Sequence, residues 1–131
     1  MKKIYLDTNF LMIPIQFRVD VFEEIKRICH FPYELCVLDK SLDELRKVIS
    51  FQKGKSKEAA KIALMIIEQK IKQKSLNITT FSKDIGVDDI LVELSDDDTI
   101  IATQDMELKR RIREKSGKII FLKSKTHLEM I

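Results

Sequence analysis

The 131-residue chain contains little glycine, proline and cysteine, and it has no tryptophan. With only three glycines, it has no glycine-rich phosphate-binding loop. Its two cysteines, Cys29 and Cys36, form neither a CxxC pair nor a four-ligand zinc set, so we interpret them as buried reduced thiols. No apolar run reaches the ~18 residues of a membrane span, and no signal-peptide cleavage region follows Met1. We therefore expect a cytoplasmic protein without membrane contact.

The composition indicates an ordinary helix-rich globular protein, because 44% of the residues are hydrophobic and 34% are charged. The length suits one domain, and we predict a single domain over residues 1–131. A net charge of +3 is too small to indicate nucleic-acid binding by itself. The distribution is more informative: basic residues concentrate in 53–61 and 109–113, and acidic residues in 84–98. An acidic site between basic flanks is typical of proteins that bind polyanions.

Apolar periodicity predicts strands that alternate with helices. The predicted strands are 4–6, 33–38, 77–81, 99–103 and 118–122. The predicted helices are 20–28, 42–51, 56–74, 88–94 and 105–115. This alternation predicts an α/β fold with three αβα layers around a central parallel sheet of about five strands, since parallel neighbours need crossover helices. The segment after Lys123 is only weakly patterned.

Four acidic residues follow these strands or lie on helices beside them: Asp7, Glu44, Asp88 and Asp105. Asp7 and Asp105 come after apolar strands, where functional sites of open α/β sheets form. Glu44 belongs to a Ser41–Glu44 capping box that is expected to begin the helix after the second strand. Several converging carboxylates would repel one another and stay protonated without a hard cation. The pattern therefore predicts a site for Mg²⁺ or Mn²⁺.

Each acid also has a purely structural interpretation. Asp7 and Asp105 are suited to cap helices, and for Asp105 capping is compatible with a place in the site. Asp88 and Asp89 are both favoured by the helix macrodipole. We predict that Asp88 faces the site, because it shares a helix face with Leu91, and that Asp89 has an auxiliary or capping role. The acidic residues 96–98 lie at the opposite edge of the sheet and are interpreted as a solvated turn.

Four segments together resemble a PIN domain. They are Leu-Asp7-Thr-Asn-Phe-Leu-Met, Asp-Glu44-Leu, Val-Asp88-Asp-Ile-Leu and Ile-Ala-Thr103-Gln-Asp105-Met-Glu-Leu-Lys-Arg-Arg. The chain resembles in particular small archaeal PIN proteins that are similar to the eukaryotic PIN nucleases of pre-rRNA processing. It departs from them at Gln104, where they usually have Asn, and at Leu94-Ser95, where they have an Ala near the end of the helix.

The resemblance implies strand order 3-2-1-4-5 and a metal-dependent endonuclease for single-stranded RNA, in which Asp7, Glu44, Asp88 and Asp105 form the acidic site. It assigns supporting roles to Asn9 and Thr103. In our hypothesis Asp7, Asp88 and Asp105 hold one or two Mg²⁺ or Mn²⁺ ions, and Glu44 completes the metal site or orients water. The residues predicted to hold the RNA backbone are Lys53, Lys55, Lys57, Lys109, Arg110 and Arg113. Taken alone, the basic stripe on helix 105–115 is more typical of a solvated face than of a phosphate-binding surface, but its position just past Asp105 makes the two interpretations equal.

Three functional alternatives share these residues. The first is a processing enzyme for RNA such as pre-rRNA, with a protein partner in ribosome assembly. The second is a toxin ribonuclease that pairs with an antitoxin. The third is a catalytically silent module that binds RNA or supports assembly. Whether the apolar residues in 59–71 are core or form a homodimer is left open.

Overall fold

The computed structural model describes residues 1–131, which form six strands and six α-helices. The strands are β1 (Lys2–Leu6), β2 (Tyr33–Leu38), β3 (Asn77–Thr79), β4 (Thr99–Ala102), β5 (Ile119–Lys123) and β6 (His127–Met130). The helices are α1 (Ile13–Phe17), α2 (Val21–Ile28), α3 (Asp39–Phe51), α4 (Lys55–Lys72), α5 (Val87–Leu94) and α6 (Met106–Glu114), and a 3₁₀ turn at Phe10–Met12 precedes α1. None of the helices is both long enough and apolar enough to cross a membrane.

The strands form one sheet in the order β3-β2-β1-β4-β5-β6. The first five are parallel, which confirms the predicted parallel sheet and the order 3-2-1-4-5. In the register of the central pair, Leu6 lies opposite Ala102. The residues that follow them, Asp7 and Thr103, are therefore neighbours at the carboxyl edge of the sheet.

Helices cover both faces of the sheet, as the alternation of elements predicted. Side chains of successive strand residues point to opposite faces. Ile4 and Ile100 belong to the larger buried cluster, which includes residues of α2, α3 and α4. Tyr5 and Ile101 belong to the smaller cluster with α5 and α6. The two buried clusters make the central strands apolar on both sides, so only their ends are free to carry polar groups.

The capping-box prediction for residues 41–44 is wrong. Helix α3 begins at Asp39, directly after β2, and its N-cap Leu38 supplies no side-chain hydrogen bond. Ser41 therefore lies inside the first turn, where its hydroxyl is buried and has no hydrogen-bond partner. The earlier start leaves Glu44 beyond the first turn, where the helix macrodipole has little effect on the charge of an acid.

The end of the chain forms a sixth strand that periodicity did not predict. Strand β6 pairs antiparallel with β5, and Leu128 is fully buried between the sheet and the helices. A short edge strand needs only one buried side chain, which leaves little alternation to detect. The short α1 after the 3₁₀ turn also lay outside the predicted elements.

Candidate active site

Asp7 lies at the centre of the carboxyl edge of the sheet and is only 4% exposed. Both of its carboxylate oxygens accept hydrogen bonds: Oδ1 from the Thr8 backbone N–H at 2.8 Å, and Oδ2 from the Thr103 hydroxyl at 2.7 Å. Its backbone N–H donates to Ala102 and extends the ladder between β1 and β4. The carboxylate is thus held in one orientation by two neighbouring strand ends.

Thr103 links Asp7 to Asp105. Its fully buried hydroxyl donates to Asp7 and accepts a hydrogen bond from the Asp105 backbone N–H at 3.1 Å. Asp105 caps α6, because its Oδ1 accepts from the Leu108 N–H at 2.8 Å. Its Oδ2 makes no hydrogen bond and remains free for another ligand.

Glu44 reaches the same region from α3. The Thr8 hydroxyl donates to Glu44 Oε1 at 2.5 Å, which connects the residue after Asp7 to the first part of α3. Thr8 is buried and Glu44 is exposed, so the hydrogen bond lies at the boundary between the protein interior and the solvent. Thr8 was not among the predicted site residues, although its position directly after Asp7 at the end of a strand could have identified it.

Asp88 and Asp89 lie in the first turn of α5 but have different surroundings. Asp89 pairs with Arg111 of α6 at 2.8 Å, which links α5 to the helix that Asp105 caps. Asp88 makes no such pair and lines the same cavity as Asp7 and Asp105. Of the two acids, only Asp88 lines the cavity.

The cavity has a volume of about 420 Å³. Its lining residues are Asp7, Thr8, Asn9, Glu44, Lys47, Val48, Asp88 and Asp105. All four predicted acids and Asn9 are brought together there, whereas the acidic turn at 96–98 lies exposed at the amino end of β4. Asn9 is exposed and its side chain makes no hydrogen bond to cap the 3₁₀ turn. Its amide therefore remains available to the cavity.

The carboxylates of the cavity disfavour each other's charge. Burial is the main cause that raises the pKa of Asp7 to about 6, against the lowering effect of its hydrogen bonds, and the charges of Asp88 and Glu44 contribute to the rise. Desolvation also raises the pKa of Asp88, with further contributions from Asp105 and Glu44, and Arg111 opposes this shift. A cation in the cavity would relieve both the desolvation and the repulsion.

The donor set suits a hard divalent cation, since carboxylate and amide oxygens are the ligands that Mg²⁺ and Mn²⁺ prefer. The side chains are not arranged as a ready-made cage: no group of three or more acidic, histidine or cysteine side chains meets the spacing of metal ligands. Mg²⁺ commonly keeps several waters and binds through one or two carboxylates, so a site of this openness fits its chemistry.

The basic residues that were predicted to bind RNA differ in whether other side chains of the protein already contact their charged groups. Arg110 pairs with Glu107 and Glu114 of its own helix, and the Lys109 ammonium lies 4.8 Å from the centre of the Phe121 ring. Partial burial lowers the pKa of Lys109. Arg113 is exposed and has no ion pair. The arginine best placed to act on the cavity acids is Arg111, which was not among the predicted RNA ligands.

The lysines near the start of α4 are free of carboxylate partners. Lys53 and Lys55 are exposed, and Lys57 is half-buried. Lys47, which was not predicted, is the cation that lines the acidic cavity. Its spacing from Glu44, three residues along one helix, was a signal that could have identified it.

The two departures from the expected motifs are accommodated away from the cavity. The Gln104 side-chain amide donates to the Leu122 carbonyl and accepts from the Leu122 N–H, so it continues the ladder between β4 and β5. Ser95 is buried next to Gly117, where the absence of a side chain leaves room for it. Neither residue displaces the acids. Cys29 and Cys36 are free and buried, as predicted.

Comparison with known proteins agrees with this architecture. The sequence model of the family described as "PIN like domain" matches residues 4–125. Ribonuclease VapC4 of Methanocaldococcus jannaschii is 27% identical over 133 residues, which cover 99% of this chain and 97% of that protein.

Two solved structures share the fold. The PIN domain endonuclease Utp24 superposes with a TM-score of 0.76 at 23% identity, over 98% of this chain and 90% of that one. A domain of a functionally unknown protein from M. jannaschii superposes with a TM-score of 0.65 at 14% identity, over 95% and 93% of the two chains. Since the family model spans the sheet from β1 through β5, with both flanking helical layers, the chain belongs to the family of PIN-like domains.

Proposed function

We propose that this protein is a metal-dependent endoribonuclease that hydrolyses phosphodiester bonds of single-stranded RNA, with a role in RNA processing such as that of pre-rRNA. The observation that carries the proposal is the convergence of Asp7, Glu44, Asp88 and Asp105 on one cavity, with Asp7 buried and oriented by Thr8 and Thr103. The similarity to a protein named as a ribonuclease and the shared fold with one named as a PIN domain endonuclease support it.

Asp7, Asp88 and Asp105 would hold Mg²⁺ or Mn²⁺, and Glu44 would complete the site or orient water. Such an ion supplies Lewis-acid activation of water and neutralises the negative charge that develops on the phosphate. The protein's own contribution is orientation. Thr103 and the Thr8 N–H fix both oxygens of Asp7, and the Thr8 hydroxyl fixes one oxygen of Glu44. Fixed ligands lose little entropy when an ion binds.

The test is cleavage of a labelled single-stranded RNA with and without Mn²⁺ or Mg²⁺. Asp7→Asn should abolish cleavage and leave the fold intact, because the substitution keeps the shape of the side chain and removes its charge. A circular RNA, which has no ends, should be cut if the enzyme is an endonuclease. The matched control is Asp97→Asn, which removes an exposed carboxylate at the opposite edge of the sheet. Full activity of the Asp7→Asn variant would contradict the proposal.

Further experiments separate the alternatives. If the protein is a toxin, its expression without a partner should arrest growth, and it should bind an antitoxin when it is purified from its native cells. A silent module should neither bind Mn²⁺ in calorimetry nor cleave RNA. The processing role rests on the resemblance to PIN nucleases of pre-rRNA processing, and it predicts cleavage of precursor rRNA at a discrete position.

A further inference from the structure

One face of α3 continues out of the acidic cavity. Glu44, Lys47, Val48 and Phe51 are spaced i, i+3, i+4 and i+7, which places them in line along one side of the helix. The first three line the cavity. Phe51 is the last residue of the helix, roughly 10 Å from Glu44 along the axis at the rise of an α-helix. The face therefore leads from an acid, past an ammonium group, to an aromatic ring.

Lys47 is the one positively charged residue among those that line the cavity. It forms no ion pair with the acids around it, whereas the neighbouring Arg46 pairs with Asp43 at 3.1 Å on the other side of the helix. An ammonium group without a carboxylate partner, beside an acidic site, is suited to bind a phosphate oxygen.

Phe51 is 82% exposed and is the most exposed aromatic side chain of the protein. The residues after it carry further positive charge, since Lys53 and Lys55 are exposed and have no carboxylate partners. An exposed aromatic ring between lysines that have no carboxylate partner favours a ligand with flat apolar surfaces for the ring and negative charge for the lysines. Single-stranded nucleic acid has both, because its bases stack and its backbone is anionic.

We propose that Phe51 is a stacking subsite for an unpaired RNA base and that Lys47 binds the adjacent phosphate, so that α3 guides the strand into the acidic cavity. The inference rests on the proposed function for the identity of the substrate. It adds a reason for the preference for single strands: the bases of a duplex stack on each other and do not present a free face to Phe51.

Binding is measured by fluorescence anisotropy with a labelled single-stranded RNA and Mg²⁺, in the Asp7→Asn background so that cleavage cannot interfere. Adding Phe51→Ala should weaken binding at least about fivefold, the lower end of what one lost base–aromatic contact costs. Phe51→Tyr should retain affinity. The matched control is Met65→Ala, which truncates an apolar side chain of α4 that is 69% exposed. Equal affinity of the Phe51→Ala variant and its parent, or no RNA binding by the parent, would overturn the proposal.

A second measurement reports stacking directly. The chain has no tryptophan, so Phe51→Trp introduces the only one. Its fluorescence should be quenched by single-stranded RNA and should respond much less to an oligonucleotide whose bases have been removed. If the variants change only the oligomeric state in size-exclusion chromatography, Phe51 is a protein contact and the proposal is wrong.

Lys47→Ala should weaken binding of normal and base-free oligonucleotides alike and reduce the salt dependence by roughly 0.7 in slope, the value for one phosphate contact on a single strand. Arg46→Ala, which removes a charge from the opposite side of the same helix, should change neither. The cleavage and binding measurements separate the proposed nuclease activity from the proposed RNA-binding subsite. Absence of cleavage by the wild-type protein refutes the nuclease, whereas unchanged RNA binding by the Phe51 and Lys47 variants refutes the subsite.

Discussion

Asp7→Asn is expected to stabilise the metal-free protein around pH 8 while it removes activity. In the folded protein the Asp7 carboxylate is 4% exposed and lies beside two other acids of the cavity. An ionised carboxylate at this position raises the free energy of the folded state, whereas the same carboxylate is solvated in the unfolded chain. Asparagine has nearly the same shape and no charge. The buried carboxylate of the proposed site is therefore maintained at the expense of stability, as is common at functional sites.

The magnitude follows from the pKa. A rise from 3.8 to about 6 corresponds to about 3 kcal/mol of unfavourable free energy when the carboxylate is ionised. Asparagine has only one acceptor oxygen, so it keeps either the bond from Thr8 or the bond from Thr103, at a cost of about 1 kcal/mol. The net gain of the variant around pH 8 is on the order of 2 kcal/mol.

The gain has a defined pH dependence. Because the folded-state pKa of Asp7 is raised, the folded protein binds this proton more tightly than the unfolded chain does. The stabilisation from protonated Asp7 is complete below a pH of 3.8 and is lost as the pH rises through about 6. The difference between variant and wild type should therefore be slightly negative at about pH 4 and positive from about pH 7 upward.

The assay is urea unfolding followed by far-UV circular dichroism, with a chelator present, across this pH range. Asp97→Asn is the control, and its difference from wild type should not follow the same curve. Adding Mn²⁺ should stabilise the wild type by mass action and leave the Asp7→Asn variant unchanged. A variant less stable than wild type around pH 8, or a difference independent of pH, would refute the reasoning.

Two further substitutions test the packing of the fold and the surroundings of Asp7. Gly117→Ala should cost about 1–3 kcal/mol of stability through overpacking, because an added Cβ collides with Ser95 Oγ and Ile112 Cγ2. Gly86→Ala, where nothing lies within 4 Å, is the control, and equal urea midpoints would contradict the packing argument. Thr103→Val removes the hydroxyl that lowers the pKa of Asp7, so the acid limb of the cleavage rate should move to higher pH, whereas Thr103→Ser should preserve the profile. An unshifted limb in Thr103→Val would mean that the bond does not tune Asp7.

Much of the fold could be predicted from periodicity because its central elements are strongly patterned. The runs at 4–6 and 99–103 are apolar on both sides, as the interior strands of a parallel sheet must be, and they became β1 and β4. The acids that follow them then lie at one edge by topology alone. Strand β6 and helix α1 escaped prediction because each is short and has few buried side chains.

The Ser41–Glu44 capping box shows where local pattern failed. The motif satisfies free backbone N–H groups at the start of a helix. This local preference competes with the geometry of the chain that enters the helix. Here β2 runs directly into α3, so the helix starts before Ser41. Glu44 still lies at the cavity, where a hydrogen bond from the Thr8 hydroxyl, and not a helix cap, orients its carboxylate.

The sequence by itself determined which residue types meet, because strand order and alternation bring the ends of β1 and β4 and the start of α5 to one edge of the sheet. Only the tertiary structure decided how they are held and which cations remain free. Buried Thr103 orients Asp7 and Arg111 pairs with Asp89, while Lys47 lines the cavity without a carboxylate partner and Phe51 remains exposed. The physical reason is that hydrogen bonds and ion pairs act over a few ångströms, and those distances are set by packing between elements far apart in the chain.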